Sequence, residues 1–128
     1  MRVFKNKPFA RFARKARITG AELCKVMLDI ERNLIDADLG GGVIKQRIAR
    51  RGAGKSGGFR ALIVFKMGER AFFVHGFAKN ERDNIRDDEL AALKKLAGEL
   101  LNYDDAAVAR ALAAGTLMEV KCDDQAIS

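Results

Sequence analysis

The side chains of this chain best suited to chemistry are cations: Lys45, Arg47, Arg60, Lys79 and Arg82, joined by His75, the sole histidine. They fall in a central stretch of alternating and branched apolar residues, where strands send successive side chains to opposite faces. No pair of carboxylates and no Ser-His-Asp arrangement competes with them. A cationic sheet face can hold phosphodiesters through bidentate arginine contacts. It can also promote cleavage of RNA by the RNA's own 2′-hydroxyl, which requires neither a metal nor a protein nucleophile. Such a site must hold the 2′-oxygen in line, stabilise charge on the phosphorane and move protons. Arginine and lysine supply the stabilisation, and a lysine of lowered pKa or a histidine moves the protons. The same residue types also fit a binding surface without chemistry, which is the plainer reading of them. Strict alternation groups His75 with Ala71, Phe73 and Phe77, company that suits a packed, hydrogen-bonded histidine as well as a catalytic one.

Two phosphate-binding motifs are present only in outline. Gly54-Lys55-Ser56 ends like a P-loop, but Ala49 stands where that motif has its first glycine, and a strand follows instead of a helix. Gly52 to Gly57 spells G-x-G-x-x-G, yet the dinucleotide fingerprint also needs a helix directly after it. The better reading of 50–58 is a glycine-rich loop whose Arg50, Arg51 and Lys55 face a polyanion.

The elements that must position these residues follow from periodicity. Val3 to Lys5 suits a short strand, and Pro8 suits the first turn of a helix. Phe9, Phe12, Ala13 and Ala16 then mark one apolar face, with Arg11, Arg14 and Lys15 opposite. Thr19 and Glu22 form a capping box opening a second helix, whose apolar stripe runs Leu23, Val26, Met27, Ile30, Leu34. The glycines after Leu39 break the helical period, and Val43 to Ala49 reads as a strand with Lys45 and Arg47 on one face. Phe59 to Lys66 is a strand, Met67-Gly68-Glu69 a turn, and Arg70 to Phe77 the hairpin partner. Asp87, Asp88 and Glu89 open a helix with apolar face Leu90, Leu93, Leu96, Ala97, Leu100. Asp104 and Asp105 begin a shorter helix ending at Gly115, and Thr116 to Val120 adds an edge strand. The predicted order is β-α-α-β-β-β-α with a helical tail, an α+β fold.

At 128 residues, 48% hydrophobic and 32% charged, the composition is that of one soluble globular domain with enough chain to bury a core. The longest apolar run, Ala61 to Phe65, is far short of a membrane span, and the basic N-terminal stretch lacks the apolar segment of a signal peptide. Cys24 and Cys122 offer neither metal-ligand spacing nor disulfide density, so no metal or other cofactor is expected and the cytoplasm is the expected compartment. The net charge is +7, divided as +12 over residues 1–80 and −5 over the remainder. A basic body with an acidic end suits a polyanionic partner, although a solubilising surface would carry the same charge.

Gly57-Gly58-Phe59-Arg60, the hairpin through Arg70-Ala71-Phe72-Phe73-Val74, and Gly76-Phe77-Ala78-Lys79-Asn80-Glu81-Arg82 resemble the RelE/ParE superfamily of toxins, in particular the RelE/HigB-like branch of type II toxin–antitoxin systems. The upstream Val43-Ile44-Lys45-Gln46-Arg47 and the helical hairpin sit in that family's order. The resemblance covers residues 2–102, which implies a toxin domain over 1–102 and a C-terminal helical extension and tail over 103–128. It implies a small twisted antiparallel sheet packed by an N-terminal helical hairpin and C-terminal helices. It also implies ribosome-dependent cleavage of mRNA by basic residues on the sheet. By position, Arg60 would stabilise the scissile phosphate, and Lys79 or His75 would transfer protons. Lys45, Arg47, Arg50, Lys55 and Arg82 would hold RNA, while Arg11, Arg14 and Lys15 would meet ribosomal RNA. The implied partners are the ribosome, mRNA and a cognate antitoxin with a DNA-binding helix-turn-helix, through which alone operator DNA would be reached. The aromatic before Arg60 is Phe59, without the hydroxyl many members carry, and the only tyrosine, Tyr103, lies in the tail. ParE-type members inhibit DNA gyrase without cutting RNA, so gyrase inhibition and non-catalytic RNA binding remain alternatives for this fold.

Overall fold

The computed structural model describes residues 1–50, 54–79 and 85–122, with backbone alone for Arg50 and residues 54–57. The elements are β1 (Arg2–Asn6), α1 (Lys7–Ala16), α2 (Gly20–Glu31), β2 (Ala37–Gly40), β3 (Val43–Arg50), β4 (Gly54–Lys66), β5 (Arg70–Ala78), α3 (Asp87–Leu101), α4 (Asp105–Ala114) and β6 (Leu117–Val120). They form an α+β fold around a six-stranded sheet in the order β2-β3-β4-β5-β1-β6. Neighbouring strands run antiparallel except β1 and β5, which pair in parallel.

Local chemistry sets the helix ends. The Asn6 side chain accepts the Phe9 backbone N–H at 2.9 Å, and Pro8 lies in the first turn of α1, where its missing donor costs nothing. Thr19 and Glu22 close the expected capping box at α2: Glu22 N–H donates to the Thr19 hydroxyl at 3.2 Å and Thr19 N–H to the Glu22 carboxylate at 3.0 Å. Asp104 caps α4 by accepting from Ala107 N–H at 2.8 Å, and Gly115 ends it at φ +77°. The apolar stripe of α2 is shorter than the sequence predicts. The helix ends at Glu31, Asn33 turns at φ +63°, and Leu34 is left 59% exposed.

The sheet buries a core on each face. On one face α1 and α2 cover Val3, Ile44, Ile48, Phe59, Ala61, Ile63, Ala71 and Phe73, with Phe9, Leu23, Val26 and Met27 packed down onto them. On the other, α3 and α4 cover Phe4, Val43, Leu62, Val64, Phe72 and Val74, and Phe4 stacks on Phe72 with ring centroids 5.3 Å apart. Arg70, at the start of β5, donates to the Tyr103 carbonyl at 2.6 Å and pairs with Asp105, clamping the α3–α4 turn to the sheet. Tyr103 is partly buried and packs against the second core.

Three expectations are corrected. A short strand, β2, precedes β3 and turns back through Gly41 and Gly42, both at positive φ; Ala37-Asp38-Leu39-Gly40 has too few apolar residues to announce it. β4 begins at Gly54 and β3 reaches Arg50, so much of the expected loop over 50–58 is strand. Lys55 and Ser56 lie within β4, where a P-loop would open a helix, which agrees with rejecting that motif. Finally, Cys24 and Cys122 are joined in a disulfide, with Cα atoms 5.5 Å apart across a sequence separation of 98. The bridge exists because β6 returns the chain beside α2, a proximity that spacing along the sequence does not reveal.

Candidate phosphodiester site on the open sheet face

Strand register assembles the candidate residues. In one row across β3, β4 and β5, Lys45 pairs with Leu62 and Leu62 with His75; in the next, Arg47 pairs with Arg60 and Arg60 with Phe77. Beyond them Lys79 N–H donates to the Gly58 carbonyl at 3.1 Å. Directly paired residues share a face and side chains alternate along each strand. Lys45, Arg47, Arg60, His75, Phe77 and Lys79 therefore share the face whose far half is covered by α3 and α4. The core cluster under those helices ends at Leu62 and Val74, and the cationic rows begin there.

His75 reaches this face through an irregularity. Leu62 pairs with His75 while Ile63 pairs with Phe73, which leaves Val74 as an extra residue in β5. This β-bulge advances the alternation by one residue. Ala71 and Phe73 point into the core beneath α1 and α2, whereas His75 points the opposite way, with its ring centroid 6.1 Å from that of Phe77. Strict alternation, which grouped His75 with Ala71 and Phe73, is corrected on this point.

Arg60 is the most buried of the cations, at 8% exposure. Its Nη1 donates to the Phe59 carbonyl at 3.2 Å, and among the described residues no carboxylate forms an ion pair with it. Burying a cation without a counter-charge is costly, and an incoming anion relieves that cost. Lys45 and Lys79 are half-buried and likewise form no ion pair among the described residues. Arg47 is steered by Asp36: its backbone N–H donates to Asp36 Oδ2 at 2.6 Å, and its Nε lies 3.9 Å from Oδ1. Like charges gathered on one face repel one another, and a polyanion bound across the four cations would relieve that repulsion. A guanidinium can clamp a phosphate, ammonium groups can hold its neighbours, and an imidazole beside them can carry a proton.

Other predicted residues lie elsewhere. Arg11, Arg14 and Lys15 are exposed on the outer face of α1, across the sheet from the cationic rows. Arg82 and the side chains of Arg50 and Lys55 lie outside the described residues. Sequence reasoning missed Asp36 and Gln46. Gln46 is 3% exposed; its Oε1 accepts Asp36 N–H at 2.7 Å and its Nε2 donates to Leu34 O at 3.1 Å, fixing the segment that carries Asp36. The available signal was alternation: Gln46 falls on the face of Ile44 and Ile48, where the core calls for an apolar residue. A groove of about 980 Å³ between α2 and β3, lined by Lys25, Asp29, Arg32 and Leu34 among others, mixes both charge signs and does not hold His75 or Arg60.

No helix among the described residues is long and apolar enough to cross a membrane. Comparison with curated proteins returns no match. Residues 1–120 match the family model described as the RelE toxin of the RelE/RelB toxin–antitoxin system. With nearly the whole chain matched, and with the sheet and its flanking helices as the resemblance implied, this protein belongs to the RelE toxin family, whose members act with an antitoxin partner.

Proposed function

We propose that this toxin is a metal-independent endoribonuclease that cuts mRNA on the ribosome. The observation that carries the reading is Arg60, a buried guanidinium without a carboxylate partner among the described residues, set on a sheet face with Lys45, Arg47, Lys79 and His75. In this reading Arg60 holds the scissile phosphate and neutralises the charge that grows on it as the 2′-oxygen attacks. Lys45 and Arg47, both on β3, orient the RNA backbone beside it. His75 or Lys79 accepts the 2′-hydroxyl proton or donates one to the departing 5′-oxygen. The products are a 2′,3′-cyclic phosphate and a 5′-hydroxyl, with no water consumed in the first step. The proposed place of action is the cytoplasm, where ribosomes and mRNA meet. Arg11, Arg14 and Lys15 would contact ribosomal RNA from the other side of the protein, and the antitoxin would be the DNA-binding member of the pair.

The test is to add purified protein to translating ribosomes and map new mRNA 5′ ends, with free RNA and an Arg60→Ala variant alongside. Cuts on ribosomes that fall by about 10²–10³-fold in the variant support the reading. An absence of cuts in every lane would overturn it and assign the cationic face to binding, with gyrase inhibition the next activity to assay.

A further inference from the structure

We propose that Asn6 is a positioning residue: its side-chain amide holds the β5 bulge at Val74 and so keeps the His75 imidazole on the cationic face. The inference rests on the RNA-cleaving role proposed above for that face. Asn6 ends β1, one step beyond the Lys5↔Phe73 pair of the parallel β1–β5 ladder, which sets it beside Val74. Its two amide atoms serve different elements. Oδ1 accepts the Phe9 N–H at 2.9 Å and caps α1, while Nδ2 donates to the Val74 carbonyl at 3.2 Å. An N–H donor on one side and a carbonyl on the other leave one orientation of the amide that satisfies both.

Val74 is the extra residue of the bulge, and a bulge interrupts the ladder that would otherwise satisfy the backbone groups of its extra residue. The amide of Asn6 gives the Val74 carbonyl a partner and fixes the bulge at this point of β5. The consequence falls on the next residue. A one-residue change of phase sends every following side chain to the opposite face. Without the bulge, His75 would follow Ala71 and Phe73 into the apolar layer beneath Phe9 and Phe12. The same amide ties the first turn of α1, whose outer face bears Arg11, Arg14 and Lys15, to the strand that carries His75.

Asn6→Asp provides the test. Aspartate still caps α1 but turns an oxygen, not a donor, toward the Val74 carbonyl. Because His75 is the sole histidine, its ring C–H resonances report on that one site. The expected result is displaced His75 ring resonances, together with single-turnover cleavage on ribosomes reduced by about 10²-fold at unchanged ribosome affinity. Thr19→Ala, which removes the cap of α2, should lower stability and move neither readout. If N6D is less stable yet leaves the His75 resonances in place, Asn6 is only a helix cap and the proposal fails. Should N6D not fold, Asn6→Ser, a cap too short to bridge to β5, carries the same expectations and the same refutation. If the wild-type protein makes no cuts, the functional reading falls, while the His75 resonances still decide whether Asn6 positions the ring.

Discussion

At the scale of single residues, the proposed site depends on one cation being both buried and planar. Arg60 lies between the Arg47 and Phe77 partners of its row with its guanidinium largely shielded from water, where a contact to phosphate is stronger than at an exposed position. Arg60→Lys keeps the charge but loses the fork that grips two phosphate oxygens. Single-turnover cleavage in R60K should therefore resemble that of Arg60→Ala more than wild type, at unchanged thermal stability; recovery by lysine would show that a point charge suffices. A second residue-scale effect joins β1 to β6. The Arg2 guanidinium hydrogen-bonds both Glu119 carboxylate oxygens at 3.0 Å, and these bonds hold the Glu119 carboxyl below the usual carboxylate range. A carboxyl with a folded pKa lower than its unfolded one stabilises the fold above the unfolded value, and that stability is lost as the pH falls through the folded value. Both side chains are partly exposed, so the contribution is small and salt-sensitive. Glu119→Gln should flatten the corresponding part of the acid limb in a plot of urea midpoint against pH, and salt should do the same to wild type.

At the scale of elements, the arrangement turns on how closely α1 approaches β5. A Cβ built on Gly76 would lie 2.3 Å from Phe12 Cδ2, because the Phe12 ring rests against the strand on the face opposite His75. Phe12 also meets Phe59 edge-on at 5.6 Å, so the ring has little room to move aside. Gly76→Ala should cost roughly 1–3 kcal/mol through overpacking, measured as a lower denaturant midpoint. The backbone at Gly76 is flanked by His75 and Phe77, so a lowered cleavage rate should accompany the loss of stability. By contrast, Thr19→Ala removes only a helix cap and should cost ~1 kcal/mol. Helix starts, the turn at Met67-Gly68-Glu69 and the order of the main strands were legible because each rests on local chemistry: a cap, a glycine, an alternation. The bulge at Val74 was not, since nothing in Phe72-Phe73-Val74-His75 marks where an extra residue enters. Its position is set from outside β5 by pairing with β4 and by Asn6.

At the scale of the whole molecule, the Cys24–Cys122 bridge links α2 to the segment after β6 across nearly the entire chain. Closing a loop of about 100 residues stabilises a fold by ~4–5 kcal/mol in the chain-entropy model. Reduction should therefore lower the unfolding midpoint, and a Cys24→Ser/Cys122→Ser variant should match the reduced protein. Both cysteines pack against the core beneath α1 and α2, on the other side of the sheet from Arg60. Cleavage by folded protein should thus be the same in oxidised and reduced samples. A rate that tracked the redox state would show that the two layers communicate. Disulfides are uncommon in reducing compartments, so at the proposed cytoplasmic place of action the bridge would be open to reduction, and the cleavage rate of the reduced protein is the one that matters there.

The division between sequence and tertiary structure follows the range of the forces involved. Caps, glycine turns, strand alternation and the excess of cations in the first 80 residues are properties of neighbours along the chain, and they were enough for the α+β fold class and for choosing Lys45, Arg47, Arg60 and Lys79. Contacts between distant segments were decided only in the folded chain. These include the parallel pairing of β1 with β5, the disulfide, the hold of Asp36 on Arg47, and the face occupied by His75. Each depends on which strands lie side by side and in what register, and register is settled by burying two apolar faces at once, a condition that no single segment carries in its own residues.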